Sequence, residues 1–123
     1  TYGLERIATF VQNIDSVYKI KVNDSSLTYG DLYLENEKQM SFFNFKFASK
    51  NHLHNSFKYH EESAKTLIEN KLPIPAYEQC IKASHSFNLL DSRGLVSVSE
   101  RQAYILRIRS LVQSCCKLVK KNV

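Results

Sequence analysis

The chain has 123 residues, 43% hydrophobic and 24% charged, with a net charge of +5 and a pI near 9.1. That is the make-up of one soluble globular domain with a modest core. No apolar run nears the ~20 residues of a membrane span, no signal-peptide pattern opens the chain, and Cys80, Cys115 and Cys116 are too few and too oddly placed for a disulfide framework. They read as reduced thiols of a cytosolic (cytoplasmic) protein, with Cys115 or Cys116 partly in a helix core. Adjacent cysteines without a C-x-x-C spacing, and without a histidine nearby in sequence, do not make a metal site. The basic balance suits a nucleic-acid partner, which is an argument about association and not about fold.

A β-prone pair, Thr1 and Tyr2, runs into Gly3 and then into a helical pattern with Leu4, Ile7, Ala8 and Val11 on one face. Strand, glycine, helix is a junction where backbone N–H groups and a helix N-terminus can face a phosphate. Arg6 in the first turn can return its guanidinium towards the same anion. The plainer reading is an amphipathic helix with a solvated arginine. Asn13 to Asp15 reads as a helix end, Lys19 to Val22 alternates as a short strand or extended segment, and Asn23 to Ser26 is a loop.

Thr28 caps a helix beginning near Tyr29, with Asp31 in its first turn. Gly30 at its start is a local contradiction. Leu32, Tyr33, Asn36, Met40 and Phe43 fall on neighbouring turns. Phe42, Phe43, Phe45 and Phe47, beside Lys46, read either as buried packing between subdomains or as a surface that stacks on bases. From Ser49 to about Asn70 the pattern is helical, with Leu53, Phe57, His60, Ala64, Leu67 and Ile68 inside and Glu61, Glu62, Lys65 and Glu69 outside. His52, His54 and His60 share no ligand spacing with a carboxylate or thiol and read as surface or helix-edge residues.

Leu72 to Pro75 breaks that helix, and Pro75 suits the first position of the next. Its inner face is Tyr77, Cys80, Ile81, Ser84, Phe87 and Leu90 or Asp91, and Gly94 is a left-handed C-cap. Ser97 to Glu100 forms a capping box for the last helix, whose stripe is Tyr104 or Ile105, Ile108, Leu111, Val112, Cys115 and Val119. Arg101, Arg107, Arg109, Lys117, Lys120 and Lys121 lie along it, either as a solvated face or as contacts to RNA phosphates or an acidic partner. His85 and Asp91, six apart on one helix, do not form a catalytic set with Arg93. The expected fold is mainly α, with a helical bundle in the C-terminal part.

Gly3-Leu4-Glu5-Arg6 followed by an apolar helix resembles motif 3 of class II aminoacyl-tRNA synthetases, whose arginine holds the ATP γ-phosphate. More narrowly, Thr1 to Ala8, Gln12 to Tyr18 and Tyr29-Gly30-Asp31 are similar to the bacterial glycyl-tRNA synthetase α subunit. So are Pro75-Ala76-Tyr77-Glu78, His85 to Gly94, Ser97 to Gln102 and Tyr104 to Arg109. These blocks run from one end of the chain to the other in the family's order. One departure is the absence of tryptophan, which the family tends to carry in a longer segment near Asn23 to Ser26.

The resemblance implies an ATP-dependent ligase that activates glycine and transfers it to tRNA(Gly), in an α–α dimer that also pairs with a β subunit. It implies ATP binding by Gly3 and Arg6, with Arg6 the catalytic residue, and glycine or adenylate near Thr1 and Glu5. ATP enters as substrate, and the Mg2+ of the reaction has its ligands outside this chain, so no metal ligand is expected here. Motifs 1 and 2 are expected upstream of Thr1, leaving these residues inactive alone. The implied division is residues 1–22 as the edge of an α+β catalytic domain with an antiparallel sheet, 23–47 as a connecting segment with one helix, and 48–123 as a C-terminal helical domain. The competing class is a non-enzymatic helical module that binds RNA or a partner subunit.

Overall fold

The computed structural model describes residues 2–121. Among them are five α-helices and no strand: α1 (Leu4–Val11), α2 (Tyr29–Phe42), α3 (Lys50–Glu69), α4 (Pro73–Ser92) and α5 (Val98–Lys121). The mainly α architecture expected from the sequence is present. The chain divides into two compact units, residues 1–47 and 48–123.

In the first unit, α1 closes with Asn13 in the left-handed region (φ 51°). The Ile14 N–H donates to the Thr9 carbonyl and the Asn13 N–H to the Phe10 carbonyl, the paired bonds of a Schellman ending. A short 3-10 turn, Val17–Lys19, follows. The strand expected over Lys19 to Val22 is reduced to one antiparallel bridge between Lys21 and Thr28. The reason is local: the Asn23–Ser26 loop folds straight back, and the returning segment becomes the cap of α2 at Thr28, so no further pair fits. Thr28 and Asp31 cap α2 reciprocally: the Asp31 N–H donates to the Thr28 hydroxyl (3.2 Å) and the Thr28 N–H to the Asp31 carboxylate (2.9 Å).

Gly30 resolves its own contradiction. A Cβ there would stand 2.8 Å from the Tyr18 carbonyl oxygen, so the glycine lets the start of α2 lie against the 3-10 turn. A π-helical turn, Phe43–Phe47, extends α2. Its rings are not buried as the packing reading expected: Phe42, Phe43 and Phe45 are about half exposed and Phe47 more so. The wider turn spreads the rings around the axis rather than along one face, with Phe42 and Phe47 touching at a centroid distance of 5.6 Å and the Lys46 ammonium over Phe42.

The second unit is an antiparallel three-helix bundle of α3, α4 and α5, built in layers. At one end Ala64, Ala76, Cys80, Leu111 and Cys115 pack together. In the middle Phe57, Ala83 and Phe87 meet Tyr104, Ile105 and Ile108. At the other end Ala48, Leu53, Leu89 and Leu90 are covered by Leu95 and Val96. Ala64, Ala76 and Ala83 are fully buried, which lets the helix backbones approach. Tyr104 is stacked on Phe87 and edge-on to Phe57, arrangements that suit the ring quadrupoles.

Several boundaries move. The first residue of α4 is Pro73, not Pro75. Both prolines therefore occupy the first turn, where a missing N–H leaves no intrahelical bond unmade. The preceding turn is a Schellman ending at Lys71, with φ 58°, and the Leu72 N–H reaches back to the Leu67 carbonyl. On α4 the buried face is Ala76, Cys80, Ala83, Ser86, Phe87, Leu89 and Leu90. Tyr77 and Ile81, expected inside, are about half exposed because the small alanines carry the close contact with α3. Gly94 is left-handed (φ 64°), with its N–H on Asp91 and that of Leu95 on Leu90, as expected for the C-cap. The Ser97–Glu100 capping box is formed.

Glu61, expected outside, is buried (5% exposed). It accepts the Arg107 Nε–H at 2.7 Å and a second guanidinium N–H on its other oxygen, a two-pronged pair linking α3 to α5. The same guanidinium lies over the Phe57 and Tyr104 rings, 4.8 and 5.2 Å from their centroids.

Candidate functional site

The start of α1 is built by Gly3. Its φ of 69° and ψ of 76° are left-handed, and its carbonyl accepts the N–H groups of Arg6 (3.1 Å) and Ile7 (3.2 Å). A Cβ on Gly3 would meet nothing within 4 Å, so the position favours glycine for its backbone angle and not for space. No side chain caps this helix, and the N–H groups of Leu4 and Glu5, ahead of the bonds to the Gly3 carbonyl, have no intrahelical acceptor. Arg6 is exposed and makes no ion pair among the described residues. Its carbonyl accepts the Thr9 hydroxyl at 2.8 Å.

Glu5, in the same first turn, is exposed and carries charge opposite to Arg6. Its negative charge, after partial burial, helps to push the Tyr29 phenol above its usual range, which places the carboxylate in the field of the α2 start. Tyr29 in turn packs on Tyr33, ring centroids 4.5 Å apart. Gly3, Glu5 and Arg6 are therefore brought together on one turn. Thr1 lies outside the described residues.

A cleft of about 610 Å³ in the first unit lies elsewhere. It is at the other end of α1, between Gln12, Ile14, Lys19 and Lys21. The Gln12 amide closes its back by accepting the Lys21 N–H and donating to the Lys21 carbonyl, as a neighbouring strand would. It includes neither Glu5 nor Arg6, so size alone does not identify the chemically interesting turn.

The cations of α5 are partly spent inside the bundle. Arg107 is held by Glu61 and Arg101 by Asp91 (2.9 Å). Arg93, at the end of α4, donates to the Ala48 carbonyl. Arg109, Lys117 and Lys120 are exposed on α5, and the Lys121 side chain is outside the described residues. Asp91 is thus engaged by Arg101. His54 bonds Tyr104 (2.9 Å) and His60 bonds Gln79 (2.8 Å), so these histidines tie helices together. Among the described residues no three His, Cys, Asp or Glu side chains gather as metal ligands. No helix there is long and apolar enough to cross a membrane.

Long-range pairs were the main omission of sequence reasoning. Glu61 and Arg107 stand 46 residues apart, and their only local sign was an acidic residue between Phe57 and Ala64 on the apolar stripe of α3.

Comparison with protein families places this chain among the aminoacyl-tRNA ligases. The family model described as glycyl-tRNA synthetase alpha subunit matches residues 1–123, the whole chain, and the chain belongs to that family.

Proposed function

We propose that these residues are the motif 3 portion and following helical domain of a bacterial-type glycine–tRNA ligase α subunit, which activates glycine with ATP and transfers it to tRNA(Gly). The observation that carries the reading is the turn at Gly3: a left-handed glycine opens a helix with free N–H groups and sets Arg6 one turn in, unpaired among the described residues. In this reading Arg6 binds the ATP γ-phosphate, and the Gly3 backbone approaches the nucleotide. As the glycine carboxylate attacks the α-phosphate, positive charge at Arg6 stabilises the departing pyrophosphate. Glu5 and Thr1 serve the amino-acid side, where a carboxylate suits an ammonium better than a phosphate does.

The reaction uses Mg2+, but Glu5 stands alone at the helix start and the described residues gather no ligand set, so no step passes through a metal held here. In the resembling family, motifs 1 and 2 supply the remaining walls of the site. The partners are tRNA(Gly), a second α subunit and a β subunit, in the cytoplasm. Residues 1–22 belong to the catalytic domain edge, 23–47 connect, and 48–123 form the helical domain. The openness of the Arg6 turn supports a second reading for these residues in isolation, a non-enzymatic helical module that binds RNA or a partner subunit.

The test is pyrophosphate exchange in the complete enzyme. Arg6→Ala is expected to cost ~2–4 kcal/mol in adenylate formation, roughly 30- to 1,000-fold, expressed through ATP. Glycine affinity, measured by direct binding, should change little. Arg6→Lys should recover only part, since an ammonium lacks the planar two-pronged fork. A folded Arg6→Ala enzyme with near-normal ATP dependence would return Arg6 to the solvated surface.

A further inference from the structure

We infer that an apolar trough between the first turns of α4 and the last turns of α5 receives an amphipathic helix with an acidic flank, carried by the synthetase's second subunit. The inference rests on the reading of this chain as one subunit of a two-subunit ligase. The trough holds about 590 Å³, with Ile74 and Tyr77 on one wall, Val119 and Cys116 on the other, and Cys115 in the floor. Its lining is almost wholly apolar, yet Ile74 is 81% exposed and Val119 47%. Large apolar side chains facing each other across an open groove mark an interaction surface. The groove lies between residues of two helices, α4 and α5, the kind of site into which a third helix lays its apolar face.

Charge selects the kind of helix. Lys120 stands in the lining, and the positive end of the α4 dipole opens at Pro73 beside it. By the antiparallel topology, Lys71 and Lys117 lie at the same end of the bundle, where Glu69 is the acidic residue. Glu78, the next residue along α4 from Tyr77, is paired with Lys82 at 3.2 Å. Residues 48–123 as a whole carry 12 Lys and Arg against 6 Asp and Glu. An acidic flank on the incoming helix meets this field, while its Leu- or Phe-like face fills the trough. Single-stranded RNA fits less well, because the walls offer one cation and mostly aliphatic surface instead of a stack of rings along a basic track.

The experiment titrates the purified second subunit onto the full-length α subunit by calorimetry. Ile74→Glu and Val119→Glu are each expected to weaken binding about 30-fold, with helicity unchanged because both side chains are already exposed. Lys120→Glu should weaken it about 5-fold and flatten its salt dependence. Val98→Glu, at the opposite end of α5 and 81% exposed, should leave the affinity unchanged. Unaltered affinity in the folded Ile74 and Val119 variants would overturn the trough as the docking site while leaving the two-subunit reading intact. Equal losses in the Val98 variant would overturn it as well, as would dissociation of an α–α pair in place of lost heteromeric binding. A wild-type α subunit that fails to bind the second subunit would remove both readings together.

Discussion

Three residues end helices in the left-handed region: Asn13, Lys71 and Gly94. Asn13 was legible in the sequence as a helix end, and Gly94 also as a left-handed cap, because a glycine between an apolar stripe and a Ser-x-x-Glu box announces itself. Lys71 carries no such signal: its bonds to Ile68 and from Leu72 to Leu67 arise because Pro73 forces the chain to leave α3 there. Gly94→Val should destabilise the bundle by ~1–2 kcal/mol through backbone strain, since a Cβ at that site meets no atom within 4 Å. Lys71→Gly should do the reverse, raising stability by about 0.5 kcal/mol as relief of strain outweighs the added freedom of the unfolded chain. Chemical denaturation of both variants measures the signs. Unchanged stability of Gly94→Val would mean that the C-cap tolerates a β-branched residue.

At the scale of elements, the bundle was legible because its stripes repeat every three or four residues, whereas the side facing of α3 and α4 was partly misread. Alanine looks neutral in a periodicity count, yet Ala64, Ala76 and Ala83 form the helix contacts while Tyr77 and Ile81 are left half exposed. The α3–α5 link through Glu61 and Arg107 was beyond reach, since no local rule pairs positions so far apart. Arg107 holds the Glu61 carboxyl below its usual range, chiefly by hydrogen bonding and against the cost of burial. A depressed carboxylate contributes stability above its unfolded pKa and loses it as pH falls through the lower folded value. Wild type should therefore lose stability below about pH 4.5 more steeply than Glu61→Gln. At neutral pH that variant should be about 2 kcal/mol less stable, because it leaves Arg107 without its counter-charge. Urea melts across pH 3 to 7 test both. In the first unit, Gly30→Ala should press on the Tyr18 carbonyl and cost about 1–3 kcal/mol, read as faster amide exchange around the Lys21–Thr28 bridge.

Across the whole molecule, burial is uneven. Among the described residues of the first unit only Ile20 is buried, while the second unit holds three packed layers. Charge divides the same way: residues 1–47 carry 5 Lys and Arg against 6 Asp and Glu, and the basic excess belongs to the bundle. The glycine-to-helix junction at the start of α1 was legible from Gly3-Leu4-Glu5-Arg6, but what such a turn binds is not written in a single motif. The 123-residue chain alone is accordingly expected to show no glycine-dependent ATP–pyrophosphate exchange. Arg6-dependent exchange from it would show that one turn suffices.

The layered core also divides the three thiols into two kinds. Burial first, and then the neighbouring Cys115, push the Cys80 thiol up to about 12, while Cys116 is exposed one residue from buried Cys115. An alkylating reagent at pH 8 should therefore modify one sulfhydryl at once and the other two only when α4 and α5 separate. The slow phase would time the opening of that end of the bundle, giving the native sequence a built-in clock that needs no added label.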